Sequence, residues 1–186
     1  MLKTYIVKVE YPVKLFDFLE GFISPERRSA LLRRKNRKSA EASLIGELLA
    51  KYAIKKHFGI PICKQQFLKA EHGKPYLEGY RDIYFNISHS GEYVVCAVSD
   101  RPVGIDIEKT GAYRQRVAKR ICSREELDML EKSEKPDDDF TRLWTQKEAV
   151  LKRKGSGISD ADIKNCLLNT NVSTQKFEDY YISTAV

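Results

Sequence analysis

Val103-Gly-Ile-Asp-Ile-Glu108 alternates in polarity along its length, the pattern of a β-strand with one face in a core. Ile105 and Ile107 point one way, while Gly104, Asp106 and Glu108 share the opposite face. Residues two apart on one face have Cα atoms about 7 Å apart, so the oxygens of Asp106 and Glu108 can meet at one cation. A solvated polar face explains a bare Asp-x-Glu equally well. The assignment therefore depends on what else the chain brings to that face.

The segment Phe140 to Lys154 reads as a helix closed by Gly155-Ser-Gly157. Phe140, Leu143, Val150 and Leu151 form its apolar stripe. Glu148 and Lys152, four apart, share a different face. They read either as one exposed ion pair, or as a third carboxylate for a metal and a cation for a phosphate. Magnesium suits the second reading, since it binds through few carboxylates and fills its octahedron with phosphate oxygens and water. Upstream, Phe85-Asn-Ile-Ser-His-Ser-Gly91 reads as a strand running into a turn, where hydroxyls, an imidazole and free N–H groups can cradle an anion. An ordinary hairpin turn is the alternative. A Ser–His hydrolase is disfavoured, because His89 is too close in sequence to Ser88 and Ser90 and no nucleophile elbow occurs.

Further out, Tyr5 to Val9 reads as a strand, and Ser24-Pro25 opens a helix leading into the basic stretch Arg27 to Lys38. A long helix is expected from Ser39 to His57, ended by Gly59. His72-Gly-Lys-Pro75 reads as a turn, and Asp82 to Ser88 and Tyr93 to Ser99 as a hairpin joined across His89-Ser-Gly91. Short helices follow at Gln115 to Ile121 and after Ser123, then a polar loop from Lys132 to Asp139. Strands are expected at Val172 to Phe177 and Tyr180 to Thr184. Glu47 and Lys51 before Ile60 echo Glu148 and Lys152 before Ile158, which suggests two related α+β lobes, 1–101 and 102–186.

Composition narrows the partners. The chain has 186 residues, a formal charge of +7 and a pI near 9.1, so it suits a polyanionic ligand, an acidic protein or nucleic acid. Its four cysteines are scattered without a CxxC, so reduced thiols in the cytoplasm are expected, and any metal should be a hard cation on oxygen. The start of the chain reads as a strand rather than a signal peptide, and no apolar run reaches membrane-spanning length.

Three segments taken together, FNISHSG at 85–91, VGIDIEKT at 103–110 and WTQKEAVLKRKGSGI at 144–158, resemble the signatures of 4′-phosphopantetheinyl transferases, in that order. FISPERR at 22–28 and GKP at 73–75 resemble the N-terminal half of the surfactin-synthetase-activating type. The resemblance covers roughly residues 1–160. It implies an α+β fold, a pseudo-twofold pair of similar lobes in one monomeric chain, with coenzyme A in the cleft between them. It implies Mg²⁺ on Asp106, Glu108 and Glu148, with Asp106 also close to coenzyme A, and it implies Lys152 on the α-phosphate. Ser88 and His89 would reach coenzyme A phosphates, Lys74 and Pro75 would line the adenine pocket, and Arg27 and Ser43 would approach the 3′-phosphate. Ala30 and Ala42 stand where that type carries a basic residue, leaving Arg33, Arg34 and Lys38 as nearby substitutes. The chain ends 29 residues after Gly157, shorter than that type, so a second lobe lacking strands that help receive the carrier protein is expected.

The implied reaction moves 4′-phosphopantetheine to a serine of an acidic acyl or peptidyl carrier protein, in fatty acid, polyketide or nonribosomal peptide synthesis. Glu148 and Lys152 are its expected catalytic residues, with Glu148 or a metal-bound water as base. Two other readings stand beside it. One is a magnesium-dependent nuclease, although few aromatics interleave the basic stretch and no nucleic acid is expected. The other is a non-catalytic relative that binds coenzyme A or carrier protein.

Overall fold

The computed structural model describes residues 1–9, 22–155 and 163–186. Its N-terminal half runs β1 (Leu2–Lys8), α1 (Pro25–Leu32), α2 (Arg37–Phe58), β2 (Phe67–Lys69), β3 (Pro75–Leu77), β4 (Tyr84–Ser90) and β5 (Tyr93–Ser99). The C-terminal half runs β6 (Gly104–Lys109), α3 (Gln115–Ile121), α4 (Arg124–Glu131), α5 (Pro136–Lys154), β7 (Val172–Phe177) and β8 (Tyr180–Ala185).

The two halves repeat one topology. Each has a first strand, a long helix and a hairpin, and in each the last strand inserts between the other two. The sheet orders are β1-β5-β4 and β6-β8-β7, antiparallel throughout. Among the described residues the C-terminal sheet carries as many strands as the sheet that β1, β5 and β4 form. Helix α2 packs on β4 and β5, and α5 packs on β6, β7 and β8.

Strand β5 is buried from end to end because both of its faces are covered. Cys96 and Val98 join the α2 side with Ala53, Ile54 and Phe85. Tyr93, Val95 and Ala97 meet Ile105, Ile107 and Ile182 from the other sheet. The expected direction of Ile105 and Ile107 therefore holds, and the core they face lies between the sheets. The opposite face of β6 lies on α5. At Gly104 an added Cβ would sit well inside contact distance of the Ala149 carbonyl oxygen and the Arg153 amide nitrogen.

Helix ends follow local chemistry. Ser24 caps α1 with Pro25 in its first turn, and Ser123 and Glu126 form a reciprocal capping box on α4. Gly59 and Gly155 close α2 and α5 in the left-handed conformation, at φ 72° and 71°. Ser156 and Gly157, also expected in the stop, lie outside the described residues.

Several boundaries differ from the sequence reading, and two of them bear on the site. Helix α5 begins at Pro136, inside the expected polar loop, because Pro136 and Asp137, Asp138 and Asp139 make a favourable first turn at the positive end of the helix dipole. His89 and Ser90 belong to β4, because the register pairs Ser90 with Tyr93 and leaves only Gly91 and Glu92 in the turn.

Gly104→Ala is expected to destabilise the fold by about 1–3 kcal/mol or more, because the opposing atoms are backbone and cannot rotate away. A lowered urea midpoint at unchanged slope checks this.

Candidate active site

Strand β6 and helix α5 run side by side so that their polar positions fall in register. Glu108 bonds the Trp144 side chain, Asp106 meets Lys152, and Gly104 abuts the backbone at Ala149 and Arg153. Trp144, Glu148 and Lys152 are successive turns of one helix face. That face turns a strand's two carboxylates and a helix's carboxylate and ammonium toward one another.

Asp106 is 2% exposed. Its Oδ1 accepts from Lys152 Nζ at 2.5 Å and from Ser88 Oγ at 2.7 Å, and Lys152 also donates to Ser88 Oγ at 2.9 Å. Its Oδ2 is buried without a hydrogen-bond partner. Glu108 Oε2 accepts from Ser90 Oγ at 3.0 Å. Burial pushes all three carboxyls above their usual range. The Asp106 charge raises Glu108 further, while Lys152 draws Asp106 and Glu148 back down.

Among the described residues no three such side chains converge tightly enough to enclose a metal ion. The donors nevertheless fit a hard divalent cation that takes two carboxylates plus substrate oxygens. Asp106 offers an unpaired buried oxygen, and Glu108 carries a second carboxylate two residues along the same face.

Glu148 and Lys152 line a cavity of about 220 Å³ with Lys74 and Asn86. It adjoins an open groove of about 1160 Å³, the two sharing Gly73 and Ile87. Arg27, Ser43, Pro75 and His89 line that groove, as do Arg34, Lys51, Lys64 and Lys69. Five cations against Glu26 and Glu47 give the groove a net positive lining, which suits a polyanion.

Residues 102–184 match the 4′-phosphopantetheinyl transferase superfamily, and residues 13–101 match the N-terminal 4′-phosphopantetheinyl transferase family. The chain is 39% identical over 141 residues to 4′-phosphopantetheinyl transferase Sfp of Bacillus subtilis strain 168, which is 75% of this chain and 63% of that protein. It is 38% identical over 162 residues to 4′-phosphopantetheinyl transferase gsp of Aneurinibacillus migulanus, covering 85% and 68%. A further B. subtilis 4′-phosphopantetheinyl transferase is 37% identical over 163 residues, covering 85% and 72%. The chain belongs to the 4′-phosphopantetheinyl transferase family. It spans about two thirds of the length of these relatives.

In this family member the expected residues fall into three places. Arg27 and Ser43 meet in the groove, Arg27 Nη2 donating to Ser43 Oγ at 3.0 Å and Nε to Glu47 Oε2 at 2.7 Å. Lys51 reaches Glu47 from the other side at 3.4 Å. Of the proposed substitutes for Ala30 and Ala42, Arg34 lines this groove. Ala42 is a core residue packed with Val9 and Val94. His89 faces the groove, and burial with the Lys152 and Arg34 charges lowers its pKa. Ser88, by contrast, lies buried beneath Lys152, with its hydroxyl already engaged.

Lys74 does more than line a pocket. Its ammonium donates to Val103 O at 3.1 Å and Arg153 O at 2.9 Å, tying the 71–75 turn to β6 and the end of α5. Lys147 escaped the sequence reading. It is wholly buried, paired with Glu126 at 2.9 Å and bonded to the carbonyls of Ile163 and Lys164. The only signal was a lysine between Gln146 and Glu148, on the apolar side of the helical period.

Burial lowers the Lys74 pKa from 10.5 to about 8. Between those values the unfolded chain holds a proton that the folded chain has released, so Lys74 makes stability rise with pH across that window. Urea midpoints measured from pH 7.5 to about 10.5 should show the parent gaining on Lys74→Met as pH rises.

Proposed function

We propose that this chain transfers 4′-phosphopantetheine from coenzyme A to a serine hydroxyl of an acidic carrier protein, using Mg²⁺ held by Asp106, Glu108 and Glu148. The observation that carries it is the register of β6 on α5, which brings the buried Asp106 carboxylate onto Lys152, and Lys152 lines with Glu148 the small cavity that adjoins the cationic groove. Family membership supplies the reaction class.

In the reaction the serine oxygen bonds to the β-phosphorus and the bond from that phosphorus to the bridging oxygen breaks. Adenosine 3′,5′-bisphosphate leaves with the bond's electrons. Such transfers depend on positioning and charge neutralisation. Bound magnesium supplies positive charge against the diphosphate oxygens. Lys152, tethered to Asp106 and Ser88, offers an ammonium to the departing α-phosphate. Glu148, its carboxyl raised by burial, is the acceptor for the serine proton, directly or through water. Arg27, Ser43 and Arg34 hold the 3′-phosphate, His89 faces the phosphates, and Lys74 and Pro75 flank the adenine.

We assign residues 1–101 and 102–186 to two lobes of one monomer, supported by the repeated sheet order. No helix among the described residues is long and apolar enough to cross a membrane. Four free cysteines support a reducing, cytoplasmic setting.

Incubation with coenzyme A, Mg²⁺ and a panel of fatty acid, polyketide and peptide carrier proteins should add the phosphopantetheine mass to at least one carrier serine. No adduct on any carrier, with coenzyme A still bound, would favour the non-catalytic relative, and DNA cleavage would favour the nuclease. Glu148→Gln and Lys152→Ala should each lower the transfer rate by about 100-fold or more with unchanged circular dichroism. Near-parental transfer by either variant removes that residue from the mechanism.

A further inference from the structure

The motif Ser88-His89-Ser90 lies on β4, and alternation sends its two serines to one face and the histidine to the other. His89 takes the groove. The serine face meets β6, across an edge where the two sheets share no backbone ladder. Side chains at every second residue make the join instead. Asn86 Oδ1 accepts from Ile105 N at 2.9 Å, Ser88 Oγ donates to Asp106 Oδ1 at 2.7 Å, and Ser90 Oγ donates to Glu108 Oε2 at 3.0 Å.

We propose that Ser88 and Ser90 are positioning residues for the two β6 carboxylates, and that their hydroxyls set which carboxylate oxygens face the metal. This inference rests on the proposed magnesium site. It departs from the role that the resemblance implies for Ser88, a direct contact with coenzyme A phosphate.

The direction of each hydroxyl proton follows from its neighbours. An ammonium and a backbone N–H can only donate. Lys152 Nζ donates to Ser88 Oγ at 2.9 Å, and Lys109 N donates to Ser90 Oγ at 3.2 Å. Each serine oxygen already accepts, and each hydroxyl's single proton is directed to the carboxylate. Asp106 is thereby held through Oδ1 and left with Oδ2 as its unpaired buried oxygen. A carboxylate clamped on one oxygen is oriented before a cation arrives, and loss of such an outer partner commonly weakens metal binding. Ser88 is 7% exposed, and a phosphate in the groove would have to take its proton from Asp106.

The test is Mn²⁺ binding to the intact chain, read as the electron paramagnetic resonance signal of free Mn²⁺, without carrier protein or turnover. Ser88→Ala and Ser90→Ala should each raise the Mn²⁺ dissociation constant by about 10- to 100-fold. Ser90→Thr, which keeps the hydroxyl, should stay near the parent. Coenzyme A binding in the presence of a chelator should be unchanged by both alanine variants. Parental Mn²⁺ affinity in both alanine variants overturns the proposal. So does weakened metal-free coenzyme A binding without a metal effect, which returns the serines to phosphate contact. If the parent itself binds no Mn²⁺, the magnesium site fails and this inference with it. If Mn²⁺ binds as expected but no carrier is modified, only the proposed transfer fails.

Discussion

Gly104 lets β6 approach α5 to a separation at which a side chain of any size would strike the helix backbone. That approach aligns alternate residues of the strand with successive turns of the helix. Lys152 lands on Asp106, Glu108 lands on Trp144, and Glu148 lies between them beside the cavity. The two periodicities, two residues per strand repeat and about 3.6 per helical turn, coincide over this short overlap. The arrangement therefore depends on how closely the elements touch as well as on which residues they carry.

Electrostatics then shapes the surroundings. Taking ammonium groups and carboxylates out of water is costly unless each finds partners. Lys147 finds Glu126 and two carbonyls, Lys74 finds two carbonyls, and Lys152 finds Asp106 and Ser88. In the N-terminal half, Arg27 and Lys51 share Glu47. Glu47 and Lys51 hold on α2 the places that Glu148 and Lys152 hold on α5. The same helix position thus yields a cationic groove wall in one half and a carboxylate-rich centre in the other.

Most elements were legible because their signals are local. Ser24-Pro25 and Ser123-x-x-Glu126 mark helix starts through the backbone N–H groups they satisfy, and Gly59 and Gly155 mark helix ends by their left-handed conformation. The start of α5 was missed because Pro-Asp-Asp-Asp has no apolar period. Its preference for a helix's positive end shows only once a helix is known to follow. His89 and Ser90 were read as turn residues because composition cannot show that Ser90 pairs with Tyr93.

The sequence by itself determined the strand and helix faces and the candidate residues on them, Asp106 with Glu108 and Glu148 with Lys152, whereas Arg27 and Ser43 came from the family resemblance. The shared direction within each of those two pairs follows from backbone geometry alone. Only the tertiary structure decided which faces meet. Alternation placed Ser88 and Ser90 together but did not say whether they would face the groove or β6, and the helical period put Lys147 on the apolar side without showing the Glu126 and carbonyl partners that let it be buried. Those outcomes depend on contacts between segments distant along the chain, where sheet order and close packing choose each side chain's neighbours.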